Sequence, residues 1–245
     1  MQGPETLSLR ELLSKDFPPE RWVIEDGILS LGGLLIVAGQ PKVRKSMTLN
    51  ALCLAMCTGG NLFGAHNMRS THQNRVLVFE QELGAQEYRE RWRGMAHCQS
   101  LLDNLYVRSM DFSLLLDSES VDKIAACIEE VEPQVVCFDP LTKFHQSDEN
   151  SAQEMARVMR SLSIIRAKYE VSAVVLHHEA KPHEGRTGGA AGRGSSVVFA
   201  DCDTWMSQKL LDEESGQCKV FFTFRRAKPM HPVVIAPNQY GIMSL

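Results

Sequence analysis

The chain of 245 residues lacks the patterns that would make it a disulfide, zinc or membrane protein. Its seven cysteines (Cys53, Cys57, Cys98, Cys127, Cys137, Cys202 and Cys218) include no Cys-x-x-Cys pair, and most sit in apolar runs. They read as buried thiols of a reducing compartment. No uninterrupted apolar run approaches the roughly 20 residues a membrane span needs. The first residues carry Glu5, Arg10, Glu11 and Lys15 in place of an apolar signal core, so a cytoplasmic location is expected. There is no internal repeat and no low-complexity tract. A large excess of one sign of charge is absent too. The net charge of −4 excludes a chain that is basic throughout, though not a local basic groove. What remains is 44% apolar and 23% charged, ordinary for a globular domain large enough to bury a core.

Within that ordinary composition one stretch stands out, residues 34–46, Leu-Leu-Ile-Val-Ala-Gly-Gln-Pro-Lys-Val-Arg-Lys-Ser. An apolar run ends in Gly39, a compact turn follows, and a helical pattern begins near Lys45-Ser46. Strand, turn and helix in that order make a phosphate loop. Its backbone N–H groups and the positive end of the helix surround phosphate oxygens. Gly39, Gln40, Pro41, Lys42, Val43, Arg44, Lys45, Ser46 and Met47 would form the nucleotide cradle. Lys45 would reach the β- and γ-phosphates, and the Ser46 hydroxyl would ligate Mg²⁺. The pattern departs from expectation at Arg44, where a second glycine usually precedes the lysine. A side chain is tolerated there only if the backbone does not need a glycine conformation.

Further apolar runs occur at Val76–Glu80, Val135–Asp139, Ala173–His177 and Val220–Phe224. Runs of this length suit strands buried on both faces. Helical patterns lie near 46–58, 84–99, 118–131 and 151–169. Alternation of the two predicts a mostly parallel sheet flanked by helices. Residues 217–240 lack a helical pattern and predict a terminal antiparallel extension. Residues 1–27 read as a leader or subunit-contact arm. Leu7, Leu9, Leu12 and Leu13 form a short helix there, Pro18-Pro19 stops it, and Trp22, Val23 and Ile24 pack on the core. Residues 28–245 read as one domain.

Several runs end in chemically useful side chains. Asp139 closes an apolar strand in the manner of a Walker B aspartate, near the Mg²⁺. Glu80 closes another and is placed to act as general base on the attacking water, with Glu82 its neighbour and competitor. His177 and His178 end a third, where one imidazole would touch the γ-phosphate or the water. Residues 181–194 are rich in glycine and cations, including Lys181 and Arg186, and suit phosphate groups of DNA or of nucleotide on a neighbour. Arg225, Arg226 and Lys228 add cations after a late strand.

Together these pieces resemble the RecA-like ATPase core, and most closely the RepA family of plasmid-encoded hexameric DNA helicases. The resemblance rests on residues 39–46, 76–80 and 135–139, on Leu-His-His-Glu-Ala-Lys at 176–181, and on Arg-Gly-Ser-Ser-Val at 193–197. It implies an α/β RecA-like domain with ATP and Mg²⁺ as cofactors. Catalysis would fall to Lys45, Glu80, Asp139, His178 and Arg193, with Ser46 and Asp139 at the metal. Arg193 would act as an arginine finger on the adjacent subunit, and Lys228 as a second cation in trans. The implied activity is ATP-driven translocation on single-stranded DNA by a homo-oligomeric, hexameric ring in plasmid, phage or mobile-element replication. A replication initiator or primase would be a partner, and no membrane. Loops 140–151 and 181–193 would line the channel, with Lys143, Phe144, Lys181 and Arg186 on the DNA. Two other readings stand beside it: a RecA-fold recombination mediator or regulatory switch, and a nucleotide-binding structural subunit with little turnover.

Overall fold

The computed structural model describes residues 6–17, 19–116, 121–179 and 193–245, with side chains from Ser196 onward in the last segment. It begins with α1 (Leu9–Ser14), which Ser8 and Glu11 close with a reciprocal capping box. No residue of α1 is buried. The short strands β1 (Trp22–Ile24) and β2 (Leu29–Ser30) pair antiparallel, and Val23 and Ile24 enter the core. The expected short helix is present without Leu7, and of residues 22–24 only Val23 and Ile24 join the core, Trp22 remaining partly exposed. Pro18 lies outside the described residues.

The parallel part of the chain follows. It comprises β3 (Leu34–Gly39), α2 (Lys45–Thr58), β4 (Val76–Glu80), α3 (Ala85–Trp92), α4 (Gln99–Asn104) and β5 (Leu105–Ser109). Then come α5 (Val121–Val131), β6 (Val135–Asp139), α6 (Ala152–Tyr169), β7 (Ser172–His178) and α7 (Arg193–Asp201). The chain ends in β8 (Thr204–Leu210), β9 (Cys218–Phe224), β10 (Val233–Pro237) and β11 (Met243–Ser244).

Nine of these strands form one sheet in the order β11-β10-β9-β8-β3-β7-β6-β4-β5. From β8 to β5 the pairs are parallel; from β8 to β11 they are antiparallel. This is the mostly parallel sheet with an antiparallel extension that the sequence predicts. Alternate residues of β3 divide between two cores. Leu35 and Val37 pack with α2, α3 and α4, whereas Leu34, Ile36 and Ala38 pack with α5, α6 and α7. Burial on both faces explains why the strand reads as an unbroken apolar run.

Two expectations change. The single helix near 84–99 is instead α3, a 3₁₀ turn at Arg93–Met95, and α4. Gly94, a poor helix former, sits in that turn. Phe144, expected on DNA, is fully buried and packs against Phe79 and Phe138 with ring centroids 6.3 and 5.1 Å away. A ring held between two others inside the core offers no face for a base. His145 is buried as well, which leaves Lys143 as the exposed candidate at that corner.

Candidate nucleotide-hydrolysis site

The parallel register decides which side chains meet. β7 lies between β3 and β6, pairing Gly39 with His178, while Glu80 of β4 pairs with Asp139 of β6. Four strand ends therefore bring the phosphate loop, His178, Asp139 and the turn after Glu80 to one edge. Ligands of open α/β sheets bind at this carboxyl end.

Gly39 is required here for space. A Cβ on it would lie 2.6 Å from the Gln208 carbonyl and 2.9 Å from the Val43 side chain. The turn that follows has two non-glycine residues in the left-handed region, Lys42 at φ 67° and Arg44 at φ 65°. Arg44 thus occupies a conformation that favours glycine, at the position where glycine is usual. Its guanidinium turns outward. It lies within reach of Met47 Sδ (3.6 Å) and the Glu213 carbonyl (3.5 Å), over the backbone of Gly216. Arg44 is also the N-cap of α2 and makes no side-chain cap bond. The Met47 and Thr48 amides bond the Arg44 carbonyl, so the Lys45 and Ser46 amides are the ones this helix end offers to an anion.

Lys45 is 6% exposed and fully engaged. Its ammonium donates to the carbonyls of Gly39 and Gln40, both at 2.9 Å, and to His178 Nδ1 at 3.1 Å. Burial pushes Lys45 down to about 8, against the charges of Asp139, Glu82 and Glu179. An ammonium has no lone pair, so Nδ1 of His178 must accept and the imidazole proton sits on Nε2. That nitrogen faces Glu82, 3.9 Å away. Burial, then the Lys45 charge, lowers the His178 pKa and favours this neutral form.

The two histidines divide as β-strand alternation requires. His178 joins Lys45 in the site. His177 is 2% exposed and its ring meets Trp205 edge-on at 6.0 Å, with burial pushing it down to about 4. Of the pair, His178 is the one at the phosphate loop.

Glu80 lies beside Asp139 across the β4–β6 pair, and the turn that follows engages its carboxylate. Its carboxylate is buried, and Oε1 accepts from the backbone N–H groups of Glu82 at 2.7 Å and Leu83 at 2.5 Å. The Ser109 hydroxyl donates to Oε2 at 3.4 Å. Glu80 braces the turn. Glu82, exposed, is the carboxylate that faces His178; it acts on the charge of Lys45 and, with Glu80, on that of Asp139.

Asp139 is 3% exposed, and burial pushes it up to about 7 while a hydrogen bond from the Ser46 side chain opposes the shift. Ser46 and Asp139 thus present two adjoining hard oxygens. That donor set fits Mg²⁺, which binds few protein ligands and takes the rest from phosphates and water. Among the described residues no group of three or more His, Cys, Asp or Glu is placed to hold a metal alone.

Gln208 was not foreseen. It is 1% exposed on β8, accepts from Thr48 Oγ1 at 2.7 Å and donates to the Val43 carbonyl at 2.6 Å. It fastens both the phosphate loop and α2 to the neighbouring strand. No sequence signal marked it, since it stands between Ser207 and Lys209 in a strand of mixed polarity.

Other candidates lie elsewhere. Lys228 follows β9, whose end pairs with the start of β8, so it sits at the opposite edge of the sheet from its own phosphate loop. Arg193 opens α7, but its side chain lies outside the described residues, as do Lys181 and Arg186. A cleft of about 1000 Å³ is lined by Trp22, Asn74, Gln134 and Tyr169 at that opposite edge and contains none of the site residues. Among the described residues no helix is long and apolar enough to cross a membrane.

Compared with known proteins, residues 3–184 match the family model described as AAA domain. No curated protein matches the chain.

Proposed function

This chain belongs to the AAA domain family, a family of P-loop ATPases, and from that premise we propose that it hydrolyses ATP with Mg²⁺ between copies of itself to move along single-stranded DNA. One observation carries the hydrolytic part: Lys45, His178 and Glu82 form a connected chain at the mouth of the phosphate loop, with contacts of 3.1 and 3.9 Å. Phosphate oxygens would take over the Lys45 protons now given to loop carbonyls. Ser46 and Asp139 would hold Mg²⁺, which supplies charge neutralisation at the β- and γ-phosphates. Glu82 would orient and deprotonate water, and His178 would fix Glu82 relative to Lys45. Arg193 would complete the site of a neighbouring copy.

The DNA part rests on the resemblance to RepA-type helicases, including the Arg-Gly-Ser-Ser-Val stretch that opens α7. A hexameric ring, work in plasmid, phage or mobile-element replication, and a replication initiator or primase as partner belong to the same proposal. The burial of Phe144 favours a second reading, a non-helicase ATPase such as a mediator or switch, because it removes the expected stacking aromatic of the 140–151 loop. ATPase rate with and without single-stranded DNA, measured together with mass in solution, separates them. Stimulation by DNA is expected, and it should vanish in folded Lys45→Ala protein. An unstimulated wild-type ATPase would leave the second reading standing. Normal turnover in Lys45→Ala would overturn the site itself.

A further inference from the structure

β8 and β9 pair so that Lys209 lies directly opposite Lys219, with Ser207 opposite Phe221 one step along the same face. Like charges facing one another across an antiparallel pair destabilise it. Both ammonium groups sit over the Phe221 ring, 5.6 and 5.4 Å from its centroid. Phe221 is only partly buried and belongs to neither core cluster. Lys209 is exposed. Toward the other end of this face, Trp205 packs under Phe199 of α7, at 5.3 Å. Among the described residues the face is therefore covered at one end and open at the other. The open end adjoins the nucleotide site, because Glu179, which follows β7, feels the charges of both Lys209 and Lys45.

An aromatic ring outside the core, flanked by two opposed cations, matches what a single strand offers: a base with a π-face between two phosphates. We propose that this face of β8 and β9 is a docking platform for single-stranded nucleic acid, with a base stacked on Phe221 and Lys209 and Lys219 on the adjoining phosphates. Stacking of this kind tolerates sequence, and the phosphates relieve the repulsion between the lysines. The inference rests on the DNA-translocase reading and supplies the aromatic contact that Phe144 cannot make. A plain packing role, in which the lysine stems simply cover the ring, is the competing account.

The test uses the full chain and a fluorescein-labelled oligothymidylate, followed by anisotropy over a salt series. Phe221→Leu keeps an apolar side chain but loses the π-face, and its Kd should rise about tenfold. Phe221→Trp should bind at least as well as wild type. Lys209→Gln and Lys219→Gln should each flatten the slope of log K against log salt by about 0.7. A Phe221→Leu protein that melts earlier yet binds with unchanged Kd overturns the platform and leaves packing. Displacement of the oligonucleotide by an equal nucleotide concentration of free thymidine monophosphate also overturns it, in favour of a mononucleotide site. A wild-type chain that neither binds the oligonucleotide nor is stimulated by it overturns the platform and the DNA reading together. If wild type binds and is stimulated while Phe221→Leu binds equally well, only the platform fails.

Discussion

Glu80 and Glu82 show how two carboxylates two residues apart come to different surroundings. The first is buried and holds two backbone N–H groups; the second faces the imidazole that touches Lys45. Glu82→Gln should therefore bind ATP and lose about 10²-fold or more in kcat, the usual weight of a positioned base. Glu80→Ala should lower stability by about 1–3 kcal/mol, since two buried donors lose their acceptor. Turnover and urea midpoints for both proteins check this. The reverse result, with Glu82→Gln active and folded Glu80→Gln inactive, would return the base to Glu80. Arg44 offers a second test at this scale. Its φ of 65° costs roughly 1 kcal/mol relative to glycine, and its guanidinium points toward Glu213 and Gly216. Arg44→Gly should raise the urea midpoint and leave ATP affinity unchanged. A loss of ATP affinity would show that the guanidinium reaches phosphate after all.

At the scale of elements, the phosphate loop depends on a strand that does not contact the nucleotide by sequence logic. Gln208 of β8 joins Thr48 of α2 to the Val43 carbonyl. Gln208→Leu preserves bulk but leaves the buried Thr48 hydroxyl without its acceptor and the Val43 carbonyl with only the Cys218 thiol, so a loss of about 1–3 kcal/mol is expected. ATP affinity should fall with it, because the loop is no longer held. Calorimetric titration on protein shown to be folded measures the second effect; unchanged affinity would make Gln208 purely a stability residue. Legibility also varied by element. β3, β4, β6 and β7 are buried on nearly every residue, so each reads as an apolar run. β5 is an edge strand with Tyr106, Val107 and Arg108 exposed, and no such run marks it. β8 mixes Trp205 and Met206 with Ser207, Gln208 and Lys209 because one face is open near its end.

At the scale of the whole molecule, the proposal places the finger and the phosphate loop on different copies. Arg193→Ala should bind ATP and hydrolyse it on the order of 10³-fold more slowly. Mixing it with Lys45→Ala should restore part of the rate, since some interfaces then pair an intact Lys45 with an intact Arg193. Specific activity should also rise with protein concentration. Full activity in monomeric Arg193→Ala protein would exclude a shared site. The sequence by itself determined the phosphate loop, the apolar strands and the α/β class, because these follow from spacing and from burial on both faces. It also determined which residue types end each strand. Only the tertiary structure decided which of them meet. Insertion of β7 between β3 and β6 set His178 against Lys45, and strand alternation turned His177 into the core. The turn after β4 gave Glu80 its backbone donors and left Glu82 facing the site. Packing of Phe79 and Phe138 closed over Phe144. Each outcome depends on which strands are neighbours and which face a side chain takes, and local sequence pattern does not encode contacts between residues so far apart in the chain.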